Sequence, residues 1–377
     1  MKKIKVLYVI SSLKPCGPDN VMIDIIRNLS KKIFDINVLV LSDYSGDDRL
    51  SKILKNMGVR CYSLGLTRLE YFFLGKKRIL HMIYMIKPDI IHTHCIRSTI
   101  LVGFLGKING KKCVTIHNYP HLDYVYGYGK IIGTISGRMI LRAIDKFDLK
   151  ISCSKSIEKE LETKFSLETI SIQNGVADNQ FLDEDKVAIR KRLGLPIEKK
   201  IIISVGSISN RKNTIFLVDS LKCLRDSDVF IIFLGEGKEF EFCKKNAAEN
   251  MRFLGNKSNV AEYLVASDIY VSASKAEGLP LSVLEALNAG LPVILSDIEP
   301  HREIIECSGN NKIGYLYDIS SQKDFLEKLS MLLDDEYMEL YSANSLALGR
   351  EVFNSRIMGK HYEDIYLEAV RANTGEC

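Results

Sequence analysis

No stretch of the 377-residue chain holds 18 consecutive apolar residues, so none reads as a membrane-spanning helix. The run IKVLYVI after Met1-Lys2-Lys3 is short, contains Lys5 and lacks a small-residue cleavage site. It therefore reads as a buried strand rather than a signal peptide. The nine cysteines (Cys16, Cys61, Cys95, Cys113, Cys153, Cys223, Cys243, Cys307 and Cys377) form no Cys-x-x-Cys pair. Their odd number and scattered spacing fit neither a zinc site nor a disulfide framework. Buried thiols in a reducing cytoplasm are the expectation. The chain has no low-complexity tract and no repeat of solenoid period. It also has no nucleic-acid-binding motif and no basic-aromatic interleaving of the kind single-strand binders use, so no nucleic-acid partner is expected.

What is present is ordinary globular composition, 46% apolar and 26% charged, in a length suited to two domains. The formal charge of +5 is unevenly spread. Residues 1–180 hold 28 Lys and Arg against 16 Asp and Glu, a net +12, and residues 181–377 hold 24 against 31, a net −7. A basic front half suggests an anionic substrate or surface. GKKRILHMIYMIK (75–87) sets a basic cluster beside an apolar helix, and Arg138, Arg142, Lys146 and Lys150 recur at intervals of four, along one helical face. Two readings stand for both features: a solvated face, or contact with an anionic membrane surface.

The front half alternates short apolar runs with helical patterns. Strands are expected at 5–10, 36–42, 59–65, 89–94, 112–118 and 150–154, and helices at 20–30, 47–58, 78–87 and 155–165. That alternation means βαβ units and a parallel sheet. A polar linker, ADNQFLDEDKVAIRKRLGLPIEKK, follows residue 176. The pattern then restarts, with strands at 200–209, 229–237, 251–256, 268–274 and 292–298 and helices between them. The fold class is α/β, two doubly wound Rossmann-like domains facing a cleft, with ligand expected at the carboxyl ends of strands.

Four stretches carry candidate chemistry. In EGLPLSVLEALNAG (277–290) a helix is expected to begin near Pro280, with Glu277 in the loop before it and Glu285 in its early turns. Backbone N–H groups around Gly278–Ser282 would favour an anion such as a diphosphate. The two carboxylates suit sugar hydroxyls instead. In SVGSISNRKN (204–213) a strand reaches Gly206, and Arg211 and Lys212 precede a helix where cations would neutralise phosphates. In SSLKPCGPDNVMIDI (11–25) Gly17 lets a ligand approach the backbone, and Asp19 or Asn20 would cap the next helix. His92, His94 and His117 lie at or near two strand ends, and no carboxylate or cysteine completes a metal spacing. HNYPHLDYVYGYGK (117–130) is rich in rings that stack on sugars. Each stretch taken alone also reads as a surface pair, a plain cap or a structural histidine.

EGLPLSVLEALNAGLPVILSDI resembles the glutamate–seven residues–glutamate motif of the family 4 glycosyltransferases, enzymes of the GT-B fold, and KPDIIHTH, TIHN, IQNGV, VGS…RKN, FLGEG and FLGNKSNVAEYLVASDIYVSAS resemble that family in the right order, over residues 5–366. The resemblance implies a retaining transfer from a nucleotide-sugar, a UDP-sugar by expectation, with no metal and no cofactor. Residues 1–175 would form an acceptor-side domain, with a last helix (355–377) packing back on it. Residues 176–354 would bind the donor. Glu285 would hold the ribose hydroxyls and Glu277 the donor sugar, while Arg211 and Lys212 face the diphosphate. Gly206, Gly278, Leu279, Pro280 and Leu281 would line the donor, Gly17 would approach its phosphates, and His117 would contact its sugar. The acceptor would be a glycan or lipid-linked oligosaccharide in bacterial polysaccharide synthesis, at the inner face of the plasma membrane.

Two departures from the family pattern stand out. Where the family commonly has Gly-Gly, a small residue and Glu, this chain has Cys16-Gly17-Pro18-Asp19, and Pro18 has no N–H to offer. Ser207 stands where an arginine is common, which leaves Arg211 and Lys212 carrying more of the phosphate charge. Asp183-Glu184-Asp185 and Asp226-Ser227-Asp228 resemble metal-binding Asp-x-Asp motifs but lie in the linker and in a helix-to-strand turn, where solvated surface is the expectation. The alternatives are a nucleotide-sugar 2-epimerase of the same fold, or a non-catalytic membrane-associated binding protein.

Overall fold

The computed structural model describes residues 3–14, 16–43, 49–122, 125, 129–225, 227–333 and 335–374. The chain divides into two compact units, Met1–Gly175 with Ser355–Cys377, and Val176–Asn354.

In the first unit the strands are β1 (Ile4–Ile10), β2 (Phe34–Val40), β3 (Arg60–Ser63), β4 (Ile90–Thr93), β5 (Lys111–Ile116), β6 (Leu149–Ser152) and β7 (Ile170–Ser171). They form one parallel sheet in the order β3-β2-β1-β4-β5-β6-β7. Val6 to Ile10 of β1 are fully buried, as expected of a strand covered on both faces. The sheet order reverses direction between β1 and β4, so the loops after those two strands diverge and leave a crevice at their carboxyl ends. The helix Ser355–Thr374 belongs to this unit and packs on the helix Gly17–Asn28. Asn28 Nδ2 donates to Ser355 Oγ at 3.2 Å, and Ser30 N donates to Glu363 Oε2 at 3.0 Å.

The second unit repeats the plan. Its strands are β8 (Lys200–Val205), β9 (Val229–Leu234), β10 (Met251–Phe253), β11 (Ile269–Ser272), β12 (Val293–Ser296) and β13 (Gly314–Tyr317), all parallel, in the order β10-β9-β8-β11-β12-β13. Its switch point falls between β8 and β11. A core of Ile202, Leu217, Phe233, Val271 and Phe325 fills one face.

Several sequence expectations are corrected. The strand β13 was not anticipated: it is four residues long and opens on a glycine. Gly314 has φ of +152°, and a Cβ there would lie 1.8 Å from Val293 O, so only glycine lets β13 lie against β12. The basic stripe is shorter than its spacing suggests. The helix Lys130–Ile144 carries exposed Arg138 and Arg142, but Lys146 lies past its end, and Lys150 belongs to β6 and donates to Phe147 O. Neither Asp19 nor Asn20 caps the first helix. Its N-cap is Cys16, with no side-chain cap bond, and Asp19 turns inward to accept from Lys14 N at 2.9 Å. Pro280 is itself the N-cap of the helix Leu281–Asn288. The described cysteines are free but not uniformly buried, since Cys16 and Cys223 are exposed.

The polar linker holds a helix, Lys186–Leu193, which Asp185 caps by accepting from Val187 N and Ala188 N. This helix is amphipathic only weakly, which is why its pattern escapes a hydrophobic reading. It is held instead by one buried arginine. Arg190 donates to Ala266 O, Ile197 O and Lys199 O at 2.8–3.0 Å and pairs with Asp268 at 2.6 Å. Asp268 also accepts from Ile201 N and pairs with Lys186, both at 2.6 Å. Asp268→Asn would leave Arg190 buried without its counter-ion. The expected loss of unfolding free energy is about 3–5 kcal/mol, read as a lower denaturant midpoint for the second unit.

Candidate active site

The loops that leave β8 and β11 meet at the second unit's switch point. Lys275 N donates to Arg211 O at 2.8 Å, which ties one loop to the other. Gly206 follows β8 with φ of +147°, and a Cβ there would stand 3.1 Å from Lys212 Cε, so the backbone leaves room for the lysine stem. Lys212 Nζ then reaches Glu277 Oε1 at 2.6 Å. Arg211 Nη1 donates to Glu277 Oε2 at 3.0 Å and to Ala276 O at 2.7 Å. Two cations thus enclose one carboxylate that is only 5% exposed. Burial alone would raise the Glu277 carboxyl. Lys212 and then Arg211 outweigh it and hold the group down to about 2. Beside the triad lie the hydroxyls of Ser204, Ser272, Ser274 and Thr214.

The helix Leu281–Asn288 begins on Pro280, which supplies no side-chain cap. Gly278 and Leu279 are buried in the approach to it. Glu285 is half-buried on its second turn. Its position relative to Glu277 shows at Tyr270 of β11. That phenol donates to Ser282 Oγ at 2.9 Å. Burial raises its pKa, the Ser282 bond opposes this, and the Glu277 and Glu285 carboxylates each raise it further. The two glutamates therefore act on one point, from the loop and from the helix. The arrangement offers a positive anchor, hydroxyl donors and two carboxylates within one short arc of backbone.

Sequence reasoning missed His301, fully buried on the helix Glu299–Cys307 after β12. Its Nδ1 lies 2.8 Å from Ser296 O, and a carbonyl only accepts, so Nδ1 carries the proton. Burial holds the ring neutral, at about 4, and Glu277 and Lys212 both influence it. Its one signal in the sequence was a position just past a strand end.

In the first unit, Gly17 opens its helix and is exposed. His117 follows β5 directly. His94 follows β4, and His94 Nδ1 lies 2.9 Å from His117 Nε2. His92 is withdrawn into the core, with Nδ1 2.6 Å from Tyr366 Oη and Nε2 2.9 Å from Thr115 Oγ1. Burial lowers all three rings, His117 to about 3. Among the described residues, no group of three or more His, Cys, Asp or Glu side chains converges to hold a metal ion. Asp185 of the first Asp-x-Asp stretch is a helix cap, and Asp226 of the second lies outside the described residues, as do Asp123, Tyr124, Tyr126, Gly127 and Tyr128 of the ring-rich loop.

The Glu277 triad has a pH signature. A carboxyl held below its ordinary value stabilises the fold above that value and loses the contribution as it is protonated. The stability difference between wild type and Glu277→Gln should be constant from pH 7 to 5, then narrow as pH falls from about 4.5 towards 2. Denaturant melts across that range measure it.

Comparison with known proteins identifies the family. The family model described as Glycosyltransferase Family 4 matches residues 16–180, and that described as Glycosyl transferases group 1 matches residues 185–345. The O-antigen biosynthesis glycosyltransferase WclY of Escherichia coli is 26% identical over 371 residues, covering 96% of this chain and 98% of its own. The UDP-Gal:alpha-D-GlcNAc-diphosphoundecaprenol alpha-1,3-galactosyltransferase of the same species is 23% identical, with 98% of each chain covered. Among solved structures, the sucrose-phosphate synthase of Thermosynechococcus elongatus superposes with a TM-score of 0.83 at 17% identity, covering 98% of this chain and all of that one, a likeness of fold. With two family models spanning its two α/β units in the order the motifs require, the chain belongs to the family 4 glycosyltransferases and has the GT-B fold.

Proposed function

We propose that the protein is a retaining glycosyltransferase that moves a hexose or N-acetylhexosamine from a UDP-sugar to a lipid-linked oligosaccharide in bacterial polysaccharide synthesis. The observation that carries this reading is the switch point of the second unit, where Arg211 and Lys212 enclose Glu277 and Glu285 stands on the adjoining helix. In the reaction the bond from the sugar C1 to the diphosphate breaks. An acceptor hydroxyl oxygen takes its place at C1 with the same configuration, and the hydroxyl proton passes to an oxygen of the departing diphosphate. Charge accumulates on the departing diphosphate, where Arg211, Lys212 and the start of the helix Leu281–Asn288 would meet it, with no metal required. The cations must then share themselves between Glu277 and phosphate, which frees a Glu277 oxygen for a sugar hydroxyl. Glu285 would bind the ribose hydroxyls. In the first unit, His117 is the group assigned to a sugar oxygen. The choice of a UDP-sugar and a lipid-diphosphate acceptor is supported by the name of the galactosyltransferase relative.

Calorimetry with UDP and UDP-sugars, together with turnover assays, tests these roles. Glu285→Ala should weaken UDP-sugar binding by ~1.5–3 kcal/mol through lost hydroxyl bonds. Glu277→Ala should keep UDP affinity, since it releases two cations, yet lose turnover because the sugar is no longer oriented. The reverse pattern would exchange the two roles. Turnover should persist in EDTA, and loss restored by manganese would overturn the metal-free assignment. Inversion at C1 in the product would overturn retention.

The acceptor's lipid places the enzyme, in this proposal, at the inner face of the plasma membrane. The helix Lys130–Ile144 supports it with more than charge. Beside Arg138 and Arg142 it exposes Ile131 (79%), Ile132 (61%) and Ile135 (65%). The helix Gly75–Ile86 likewise exposes Leu80, Tyr84 and Met85 next to Lys76 and Lys77. No helix of the described residues is long and apolar enough to cross a membrane. Each cation near an anionic leaflet contributes ~1 kcal/mol, and apolar side chains add a component that salt does not screen. Flotation with anionic liposomes should show strong binding at low salt and weaker, residual binding at 1 M. Replacing Ile131 and Ile135 by Ser should reduce the residual part. No binding at low salt, or equal binding to neutral liposomes, would remove the membrane from the proposal.

A further inference from the structure

His94 Nδ1 and His117 Nε2 face each other at 2.9 Å, and burial keeps both rings uncharged. Between two neutral imidazoles in this contact there is one proton, because one nitrogen must donate and the other accept. The contact therefore couples the tautomers. If His94 donates from Nδ1, His117 accepts at Nε2 and carries its own proton on Nδ1. If His117 donates from Nε2, His94 accepts at Nδ1 and carries its proton on Nε2. Both rings are Nδ1–H, or both are Nε2–H.

The surroundings of His94 decide between the two. Its ring lies 4.3 Å from that of His92 and 5.7 Å from that of Tyr8. His92 is clamped by Tyr366 and Thr115, and Thr115 Oγ1 lies 2.8 Å from Tyr362 Oη, so the C-terminal helix holds the stack in place. His94 Nε2 is buried without a hydrogen-bond partner among the described residues. His94 lines a mostly apolar cavity of about 240 Å³ with Val114, Ile116, Ile140 and Ile144, whose polar lining includes Thr99, Thr115 and Asn118. Buried N–H groups without partners are rarer than buried acceptors without them. A proton on Nε2 would be stranded without an acceptor, whereas a proton on Nδ1 has one in His117.

We infer that His94 is a positioning residue: it donates from Nδ1 to His117 Nε2, fixes the ring, and obliges His117 to present Nδ1–H as a donor. The use of that donor towards a sugar or phosphate oxygen rests on the transferase reading, while the tautomer does not. A bare lone pair at the same position would oppose such an oxygen.

Long-range ¹H–¹⁵N spectra of the full, histidine-labelled chain at pH 7 read the tautomers directly. Nδ1–H is expected on both His94 and His117, with neither titrating down to pH 5. Nε2–H on His117 overturns the inference. In His94→Leu the His117 ring should lose its fixed Nδ1–H form, and kcat for UDP-sugar turnover should fall about 10- to 100-fold with donor KM nearly unchanged. His94→Asn carries an amide N–H near the position of Nδ1 and should restore both. A fall in kcat with the His117 tautomer unchanged would reduce His94 to packing and overturn the positioning role. Should the leucine variant not fold, the wild-type and asparagine spectra decide. If no UDP-sugar is turned over, the transferase reading fails while the spectra still test the tautomer.

Discussion

One buried carboxylate organises the second unit's active region. Glu277 could not stay ionised at 5% exposure without compensation, and Lys212 and Arg211 supply it at 2.6 and 3.0 Å. Those contacts fix where the loop after β8 meets the loop after β11. Gly206 belongs to the same constraint, because its missing side chain admits the stem of Lys212. So does the polarity of the neighbourhood: Tyr270 and His301 are held neutral within reach of the triad's charges. The net charge of the triad is positive, and a second anion can compete for cations already held in place. Preorganised charge of this kind needs little rearrangement to meet an anion.

The first unit solves a different problem with neutral groups. Three histidines and three tyrosines gather around β1, β4 and β5, and burial strips them of charge rather than pairing it. Hydrogen bonds then carry the specificity: Tyr8 to Tyr366, Tyr366 to His92, His92 to Thr115 and Thr115 to Tyr362. Two of the tyrosines come from the C-terminal helix, so the last twenty residues of the fold stiffen the strand ends from which His94 and His117 project. A polar core of this kind rigidifies only when its members are satisfied. The exception, His94 Nε2, sits at the ring that touches His117.

Charge and apolar surface are distributed with the same economy. The helix Lys130–Ile144 buries Ile140 and Ile144 inward and leaves Ile131, Ile132 and Ile135 outside with Arg138 and Arg142. The spacing of the basic residues hinted at one part of this face. The isoleucines beside them were not singled out, since whether a given isoleucine faces core or solvent depends on which flank of the helix meets the sheet.

The amino-acid sequence determined the alternating elements, the parallel sheets implied by unbroken apolar strands, and the residues of the candidate site motifs. All of these are local signals: periodicity, a proline at a helix start, a glycine after a strand. The tertiary structure decided what those signals could not carry. The order β10-β9-β8-β11-β12-β13 sets β8 next to β11, and only that neighbourhood joins Arg211 to Glu277 across 66 positions of chain. The helix in the polar linker depends on Arg190 reaching Asp268, 78 residues away, a contact invisible to hydrophobic patterning. The pairing of His94 with His117 follows from β4 lying against β5. Sequence spacing encodes the shape of each element. Burial and ion pairing, which depend on what lies across the sheet, decide which side chains meet.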